Sequence, residues 1–230
     1  GLAVSEGMRS QIRGMNVASR NAQDGISMVQ VADGALGSVG DMLQRVRDLA
    51  VQASNGTLTD AQRGNLDTEV QQLMTEVGKT GTDTEFNGLK IMAGSVATAA
   101  SAVTLQVGAN ASQSIAFTIG TVSTSDLGIA GIAVGTAASA TAAIASLDAA
   151  ISTVTTSRAN LGAIQNRLEN TISRLGMTAE NLQAAESRIR DADMASEMIQ
   201  FTKNQILQQS GTAMLSQANS APQSILSLLR

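Results

Sequence analysis

Apolar residues recur every three to four positions along the first 54 residues of the chain. Two interleaved series repeat every seven residues. The first series is Met8, Met15, Ala22, Val29, Leu36, Leu43 and Ala50, and the companion series is Gln11, Ala18, Gly25, Ala32, Val39, Val46 and Ala53. This spacing is typical of a helix that packs along its length against other helices. It predicts a first rod helix over 1–54, with a weak point at Asp24-Gly25 because glycine lowers helix propensity.

A second helix is predicted over 55–81, after the turn that Asn55-Gly56 indicates. Thr59 followed by Gln62 has the spacing of a capping box, in which each side chain bonds the other residue's backbone N–H. The apolar stripe of this helix is Leu66, Val70, Leu73 and Val77. The short connection predicts that the second helix folds back on the first.

Residues 82–140 have a different composition, with few charges and many Gly, Ser, Thr and Ala residues. Two stretches, 103–107 and 115–119, alternate apolar and polar residues, which predicts a short β-hairpin. The remainder of this region, and 121–140 in particular, is predicted to be a loose stretch of low complexity.

The heptad pattern returns over 141–190 and predicts a long C-terminal rod helix. Its main series is Leu147, Val154, Leu161, Leu168, Leu175, Leu182 and Ile189. Polar residues enter the companion series at Arg158, Gln165 and Glu186. Such a helix cannot bury its apolar stripe alone, so we expect it to pack on the N-terminal helices.

The last segment, 191–230, is predicted to be a further helix, with an interruption near Pro222. Its apolar residues have no evident partner among the other predicted elements. The predicted fold is therefore mainly α: a long antiparallel coiled-coil-like helical rod with a small β-hairpin, plus this C-terminal helix. No apolar run reaches the ~18 residues of a membrane span, so none is predicted.

Composition narrows the range of functions. The chain has no Cys, His, Trp or Tyr, and its net charge is −4. Disulfides, thiol nucleophiles and imidazole chemistry are therefore excluded. The acidic balance and scarcity of aromatic residues also argue against nucleic-acid binding. We predict a structural or interaction protein with no enzyme activity, cofactor or metal; the acidic stretch 83–88 lacks the glutamate that a calcium loop places at its twelfth position, which is Gly94 here.

Several segments resemble bacterial flagellin in order and spacing. They are Asn21-Ala22-Gln23-Asp24-Gly25-Ile26-Ser27, Leu43 to Gln52, Glu85-Phe86-Asn87-Gly88-Leu89-Lys90, Gln205 to Thr212, and Leu226-Ser227-Leu228-Leu229-Arg230. The resemblance implies a secreted, self-assembling subunit of the flagellar filament, at the cell exterior and used for motility. It implies as partners other flagellin subunits, a flagellar export chaperone at the C-terminus, and the filament cap and hook-junction proteins.

The resemblance also implies that the last helix, 191–230, belongs to an inner tube of the filament. In the family a preceding N-terminal segment pairs with this helix, and we expect that segment to be missing before Gly1. We therefore expect these 230 residues alone to stay monomeric or to aggregate irregularly. The residues proposed to pack in the filament, or in the chaperone before export, are Ile206, Met214, Leu215, Ile225, Leu226, Leu228 and Leu229.

A second candidate surface surrounds Arg45. By similarity to flagellins that the vertebrate Toll-like receptor for flagellin senses, the resemblance implies that Gln44, Arg45, Leu49 and Glu69 form the receptor interface. An exposed Arg beside an exposed Leu would suit such an anchor. The alternative is a solvated helix face, in which Arg45 pairs with Asp41 one turn earlier.

Two functions remain open at this point. The first is a structural filament subunit, and the alternative is a flagellin-derived cell-surface protein that binds a receptor or a polysaccharide.

Overall fold

A computed structural model describes residues 1–190 and 194–228, with side chains described for 1–190 and 196–220. The helices are α1 (Leu2–Ala53), α2 (Asp60–Asp83), α3 (Ala137–Arg190) and α4 (Met194–Leu228). The strands are β1 (Glu85–Phe86), β2 (Leu89–Lys90), β3 (Val103–Gln106) and β4 (Ser114–Phe117), and a 3₁₀ turn spans Ala99–Ser101. The mainly α fold with a small antiparallel sheet is as predicted.

The chain forms two compact units. The larger unit, residues 9–182, is called the rod here, and the terminal unit comprises 1–8 with 183–230. The observed helices differ from the predicted ranges at their ends: α2 continues past Gly81 to Asp83, and α3 begins at Ala137.

The heptad positions of α1 form the centre of the rod. The first series is buried from Met15 to Ala50, and the companion series is buried from Ala18 to Ala53. Only the first members depart from the pattern, since Met8 is half-buried and Gln11 is exposed. The helix is continuous through Asp24-Gly25, as the predicted rod helix requires.

Helices α1 and α3 run antiparallel in the rod. Near one end of the pair Met15 and Ala18 share a core cluster with Leu175. Towards the other end Arg47 donates from Nε to Asp148 Oδ1 at 2.6 Å. The α3 series is buried from Leu147 to Leu175, whereas Ile189 is 45% exposed. The polar residue Arg158 in the companion series is explained by its ion pair with Asp33 at 2.8 Å.

Helix α2 begins with the predicted capping box. The Gln62 amide donates to Thr59 Oγ1 at 3.3 Å, and the Thr59 amide donates to Gln62 Oε1 at 2.9 Å. Val70 and Val77 are buried as expected, while Leu66 and Leu73 are half-buried. Sequence reasoning missed that Arg63 and Met74 are buried in the same helix.

The stretch 121–136 is packed into the rod, so the prediction of a loose segment is wrong. Leu127, Ile129 and Val134 are buried in the main core. Polar groups of the rod hold the backbone of this stretch: Asp67 Oδ1 accepts from the Val134 amide at 2.6 Å, and the Val122 amide donates to the Met92 carbonyl at 3.0 Å. Apolar residues spaced irregularly among small residues therefore contribute to the core without a periodic pattern.

Two hairpins follow α2. In the first, Phe86 pairs with Leu89 across a turn at Asn87 and Gly88, whose positive φ values of 52° and 76° match a type I′ turn. In the second, the predicted hairpin, Val103 pairs with Phe117 and Gln106 with Ser114. The missing Cβ of Gly25 leaves the space that Leu105 of β3 occupies, so this glycine permits close packing of the hairpin on α1.

The terminal unit contains a buried acidic residue. Glu186 is 3% exposed and accepts a 2.8 Å hydrogen bond from Ser5 Oγ. Arg190 pairs with Glu6 at 3.2 Å. In the same unit, α4 continues through Pro222, so the predicted interruption is wrong. Proline removes only one backbone donor from the helix, at a cost of ~3 kcal/mol, and the helix continues despite that cost.

Of the described helices, α3 alone is long and apolar enough to cross a membrane by length and composition, with an 18-residue window of mean hydropathy 1.3. Its residues Leu147, Val154 and Leu161 lie in the core of the rod. Of that apolar window, 28% is buried in the structure.

Candidate interaction surfaces

Helix α4 exposes large apolar side chains along its described length. They are Met198, Ile199, Phe201, Ile206, Leu207, Met214 and Leu215, each between 56% and 73% exposed. Six residues spaced at i, i+1, i+4, i+5, i+8 and i+9 form a shallow groove on one side of the helix: Met198, Ile199, Thr202, Lys203, Ile206 and Leu207. These six residues are called the α4 groove.

An exposed apolar helix face of this kind is characteristic of a surface that another protein segment covers. A single helix gains most of its stability in water by packing an apolar face, which α4 does not do within the described residues. Among the predicted contact residues, Ile206, Met214 and Leu215 are exposed on α4. The side chains of Ile225, Leu226 and Leu228, and the whole of Leu229, lie outside the described part of the chain.

The surface around Arg45 connects two helices of the rod. Arg45 donates from Nε and Nη2 to Glu69 Oε1, at 2.9 and 2.7 Å. Its partner is therefore Glu69 on α2, and the predicted pair with Asp41 is wrong. The antiparallel packing of α2 on α1 brings a carboxylate closer than the preceding helical turn does. Gln44 is exposed beside this pair.

Leu49 does not join that surface as an exposed side chain. It is 1% exposed and belongs to the core of the rod, so the expectation of an exposed Leu beside Arg45 is wrong. The reason is that α1 packs against α2 as well as α3, which buries a position beside the two heptad series. Of the four predicted receptor residues, the structure pairs Arg45 with Glu69 at the surface and leaves the neighbouring Gln44 exposed.

Ion pairs also hold the opposite side of α1. The hydrogen bond from Arg47 to Asp148 raises the pKa of Arg47, and the hydrogen bond from Arg158 to Asp33 raises the pKa of Arg158. Both guanidinium groups remain charged at any physiological pH. Such exposed pairs contribute about 0–1 kcal/mol each to stability, so they favour a register more than they stabilise the fold.

The described residues contain no group of three or more acidic side chains placed to hold a metal ion. The acidic stretch at 83–88 instead ends α2 and forms the first hairpin. What the molecule presents is thus a closed rod core, a polar surface around Arg45, and an apolar helix.

Comparison with protein families agrees with this architecture. The family model of the bacterial flagellin N-terminal helical region matches residues 1–97, and that of the C-terminal helical region matches residues 144–229. These two regions contain α1 with α2, and most of α3 with α4.

Curated relatives match the whole chain. It is 49% identical over 242 residues to flagellin FlaB2 of Treponema pallidum, covering 100% of this chain and 85% of the relative. It is 48% identical over 232 residues to a flagellin of Halalkalibacterium halodurans, with 100% and 84% covered. A flagellin of Bacillus subtilis is 46% identical over 262 residues, with 100% and 86% covered.

Solved structures share the fold. The crystal structure of Bacillus cereus flagellin has a TM-score of 0.59 and 32% identity, covering 73% of this chain and 94% of that one. FliC from Burkholderia pseudomallei, at 22% identity, shares the fold with a TM-score of 0.54, covering 62% of this chain and 99% of that one.

The mainly helical fold and these matches place the chain among the structural proteins of bacterial filaments. Within that class, the chain belongs to the bacterial flagellin family, whose members are structural proteins of the extracellular flagellar filament.

Proposed function

We propose that this protein is a structural subunit of the bacterial flagellar filament, that it self-assembles by helix packing, and that the filament serves motility. The observation that carries this proposal is the apolar surface of α4, where Ile206 and Leu207 are 56% and 59% exposed. Family membership supports other flagellin subunits as the partner of this surface.

The proposal is also supported by a difference in burial between the rod and α4. Its apolar residues from Met15 to Leu175 are buried within residues 9–182, so the rod needs no further partner to close its core. The described side chains of α4 are exposed, so α4 presents the apolar area that an assembled polymer would bury. Burial of apolar area contributes ~25 cal/mol per Å².

An exposed apolar helix also needs protection before assembly. We therefore propose that the C-terminal segment binds a flagellar export chaperone, whose apolar groove would cover α4 until the chain is secreted. The filament cap and the hook-junction proteins would contact the subunits at the two ends of the filament.

The experiment compares two variants of α4 in a bacterium that lacks its own flagellin. Ile206→Asp combined with Leu207→Asp places two charges in the α4 groove, whereas Gln208→Asp changes an exposed residue on the opposite side of the helix. Electron microscopy should show filaments for the control and none for the double variant. Normal filaments from the double variant would contradict the proposal, and a chain that only binds surface polysaccharide would support the cell-surface alternative.

We also propose that the surface formed by Gln44, Arg45 and Glu69 binds the vertebrate Toll-like receptor for flagellin. Arg45 is held by two hydrogen bonds to Glu69, so its guanidinium is pre-ordered at an exposed position. Pre-ordering lowers the conformational entropy lost on binding. Leu49 is buried, so it would contribute only indirectly, by fixing the position of the helix that carries Arg45.

A further inference from the structure

The chain contains two Asn-Gly pairs, Asn55-Gly56 and Asn87-Gly88, and both lie in exposed turns. In such a pair the backbone nitrogen of the glycine can attack the side-chain amide carbon of the asparagine, because glycine has no Cβ to obstruct the approach. The two turns differ in the hydrogen bonds that reach the reacting atoms. The structure therefore distinguishes between the two pairs.

The side chain of Asn55 is held over the two residues that follow it. The Thr57 amide donates to Asn55 Oδ1 at 3.2 Å, which makes an Asx turn. The ring that this hydrogen bond closes includes Asn55 Cγ and the Gly56 nitrogen, the two atoms that would react. The Thr57 amide also points at the oxygen on which negative charge develops when Cγ is attacked, as the donors of an oxyanion hole do.

A buried cation polarises the peptide group between Asn55 and Gly56. Arg63 is 6% exposed and donates from Nη2 to the Asn55 carbonyl oxygen at 2.9 Å. When solvent removes the proton from the Gly56 nitrogen, the negative charge is shared with that carbonyl oxygen, so the guanidinium stabilises the anion. Gly56 is exposed, and its amide donates to no other group in the part of the chain that the structure describes. Its proton is therefore accessible to solvent.

The second pair lacks these features. Asn87 and Gly88 form the two-residue turn between β1 and β2, with φ values of 52° and 76°. The pairing of Phe86 with Leu89 fixes this turn on both sides. Among the described residues, none donates a hydrogen bond to the side chain or the carbonyl oxygen of Asn87. Neither its Cγ nor the Gly88 nitrogen is activated.

We propose that Asn55 is a site of spontaneous deamidation, selected over Asn87 by Arg63 and Thr57. The Gly56 nitrogen loses its proton to solvent and bonds to Asn55 Cγ. The side-chain nitrogen then leaves as ammonia, taking a proton back from solvent, and a cyclic succinimide remains. Water opens the succinimide: addition at the former side-chain carbonyl gives aspartate, and addition at the former backbone carbonyl gives isoaspartate. One water is consumed and one ammonia is released.

The products change the connection between α1 and α2. Either product adds a negative charge near Arg63, and isoaspartate also lengthens the backbone of the turn by one methylene group. The reaction needs only water, so it proceeds outside the cell as well as inside. It does not depend on the function of α4, so each proposal can fail without the other.

Incubation of the folded chain at mildly alkaline pH, followed by tryptic digestion and mass spectrometry, measures both sites together. Trypsin releases Asn55 in the peptide 48–63 and Asn87 in the peptide 80–90. We expect Asn55 to deamidate about tenfold faster than Asn87, the factor that one charge-assisted hydrogen bond supplies. We also expect isoaspartate in the peptide 48–63.

The unfolded chain is the matched control for this comparison. In concentrated guanidinium chloride both pairs lose their hydrogen bonds, so the two rates should become similar. Equal rates at Asn55 and Asn87 in the folded chain would overturn the proposal. A ratio of rates that guanidinium chloride leaves unchanged would also overturn it, because the fold would then have no part in the selection.

Arg63→Lys tests the role of the cation. Lysine keeps the charge but lacks the planar fork that reaches three acceptors, so deamidation of Asn55 should slow severalfold while that of Asn87 stays unchanged. Arg45→Lys, at an exposed ion pair of the same rod, is the matched control and should change neither rate. An unchanged or faster reaction at Asn55 in Arg63→Lys would contradict the activation by Arg63.

Gly56→Ala tests the attacking nitrogen. No atom lies within 4 Å of the position that a Cβ would take at Gly56, and its φ is not positive, so this variant should keep the fold. The added Cβ should suppress deamidation and isoaspartate formation at Asn55 and leave Asn87 unchanged. Isoaspartate that forms at Asn55 of this variant as fast as in the unaltered chain would overturn the proposal.

Discussion

Arg63 donates from Nε to the carbonyl oxygen of Ala53, the last residue of α1, at 2.7 Å. The same guanidinium donates to the Asn55 carbonyl at 2.9 Å and to Asp60 Oδ1 at 2.8 Å. One buried cation thereby bonds the C-terminal end of α1, the turn and the first residue of α2. Its position at a helix C-terminus is also favourable for a positive charge.

Arg63→Ala should destabilise the rod by about 2–4 kcal/mol, because buried carbonyl groups would lose their charged donor. Urea unfolding followed by circular dichroism measures the loss. Arg45→Ala is the matched control, since it removes an exposed ion pair worth less than ~1 kcal/mol. Equal losses in the two variants would show that Arg63 has no special role in the turn.

Gly81→Ala should destabilise the rod by about 1–3 kcal/mol. A Cβ at this position would collide with the backbone carbonyl of Val122, which cannot rotate away as a side chain can. Gly64→Ala, in the same helix, has open space and should stabilise the protein by up to about 1 kcal/mol. Thermal unfolding of both variants checks the prediction, and a stabilised Gly81→Ala protein would refute it.

Asn87→Ala should weaken the first hairpin by about 1–2 kcal/mol, because alanine tolerates the positive φ of 52° less well than asparagine does. Glu85→Ala, on the adjoining strand and exposed, keeps the turn and serves as control. Hydrogen exchange of the Ile91 amide, which donates to the Thr84 carbonyl beside the hairpin, reports the change. Unaltered exchange in Asn87→Ala would contradict the assignment of strain to this turn.

Arg45→Ala should weaken the receptor response by about 5- to 150-fold, the range expected for an interface anchor worth 1–3 kcal/mol. Arg47→Ala removes another exposed ion pair of α1, on the side that faces Asp148, and should leave the response unchanged. A dose–response curve in cells that carry the receptor measures both. An unchanged curve for Arg45→Ala would contradict the proposal that this surface binds the receptor.

The heptad pattern was sufficient to predict most of the rod, because one core periodicity describes a helix that packs along its whole length. It did not predict Leu49, which α2 buries on a third side of α1. Arg63 was missed because a charged residue in an amphipathic helix is ordinarily exposed, and only the folded turn supplies its carbonyl acceptors. Leu127, Ile129 and Val134 were missed because their burial depends on α2 and not on any local periodicity.

The expectation that the apolar residues of α4 lack a partner within the chain agrees with the described side chains, whereas their role in binding stays a prediction. The apolar residues of α4 exceed what the predicted rod could bury, and the structure leaves Ile206, Met214 and Leu215 exposed. The partner that covers these residues belongs to the assembled filament, so the sequence of a single chain does not identify it.

The central claim is that α4 is an assembly element, and cryo-electron microscopy of filaments that contain this protein tests it most directly. The account predicts that Ile206 and Leu207 of each subunit are buried against neighbouring subunits in the filament. Filaments in which both side chains remain exposed to solvent would contradict it.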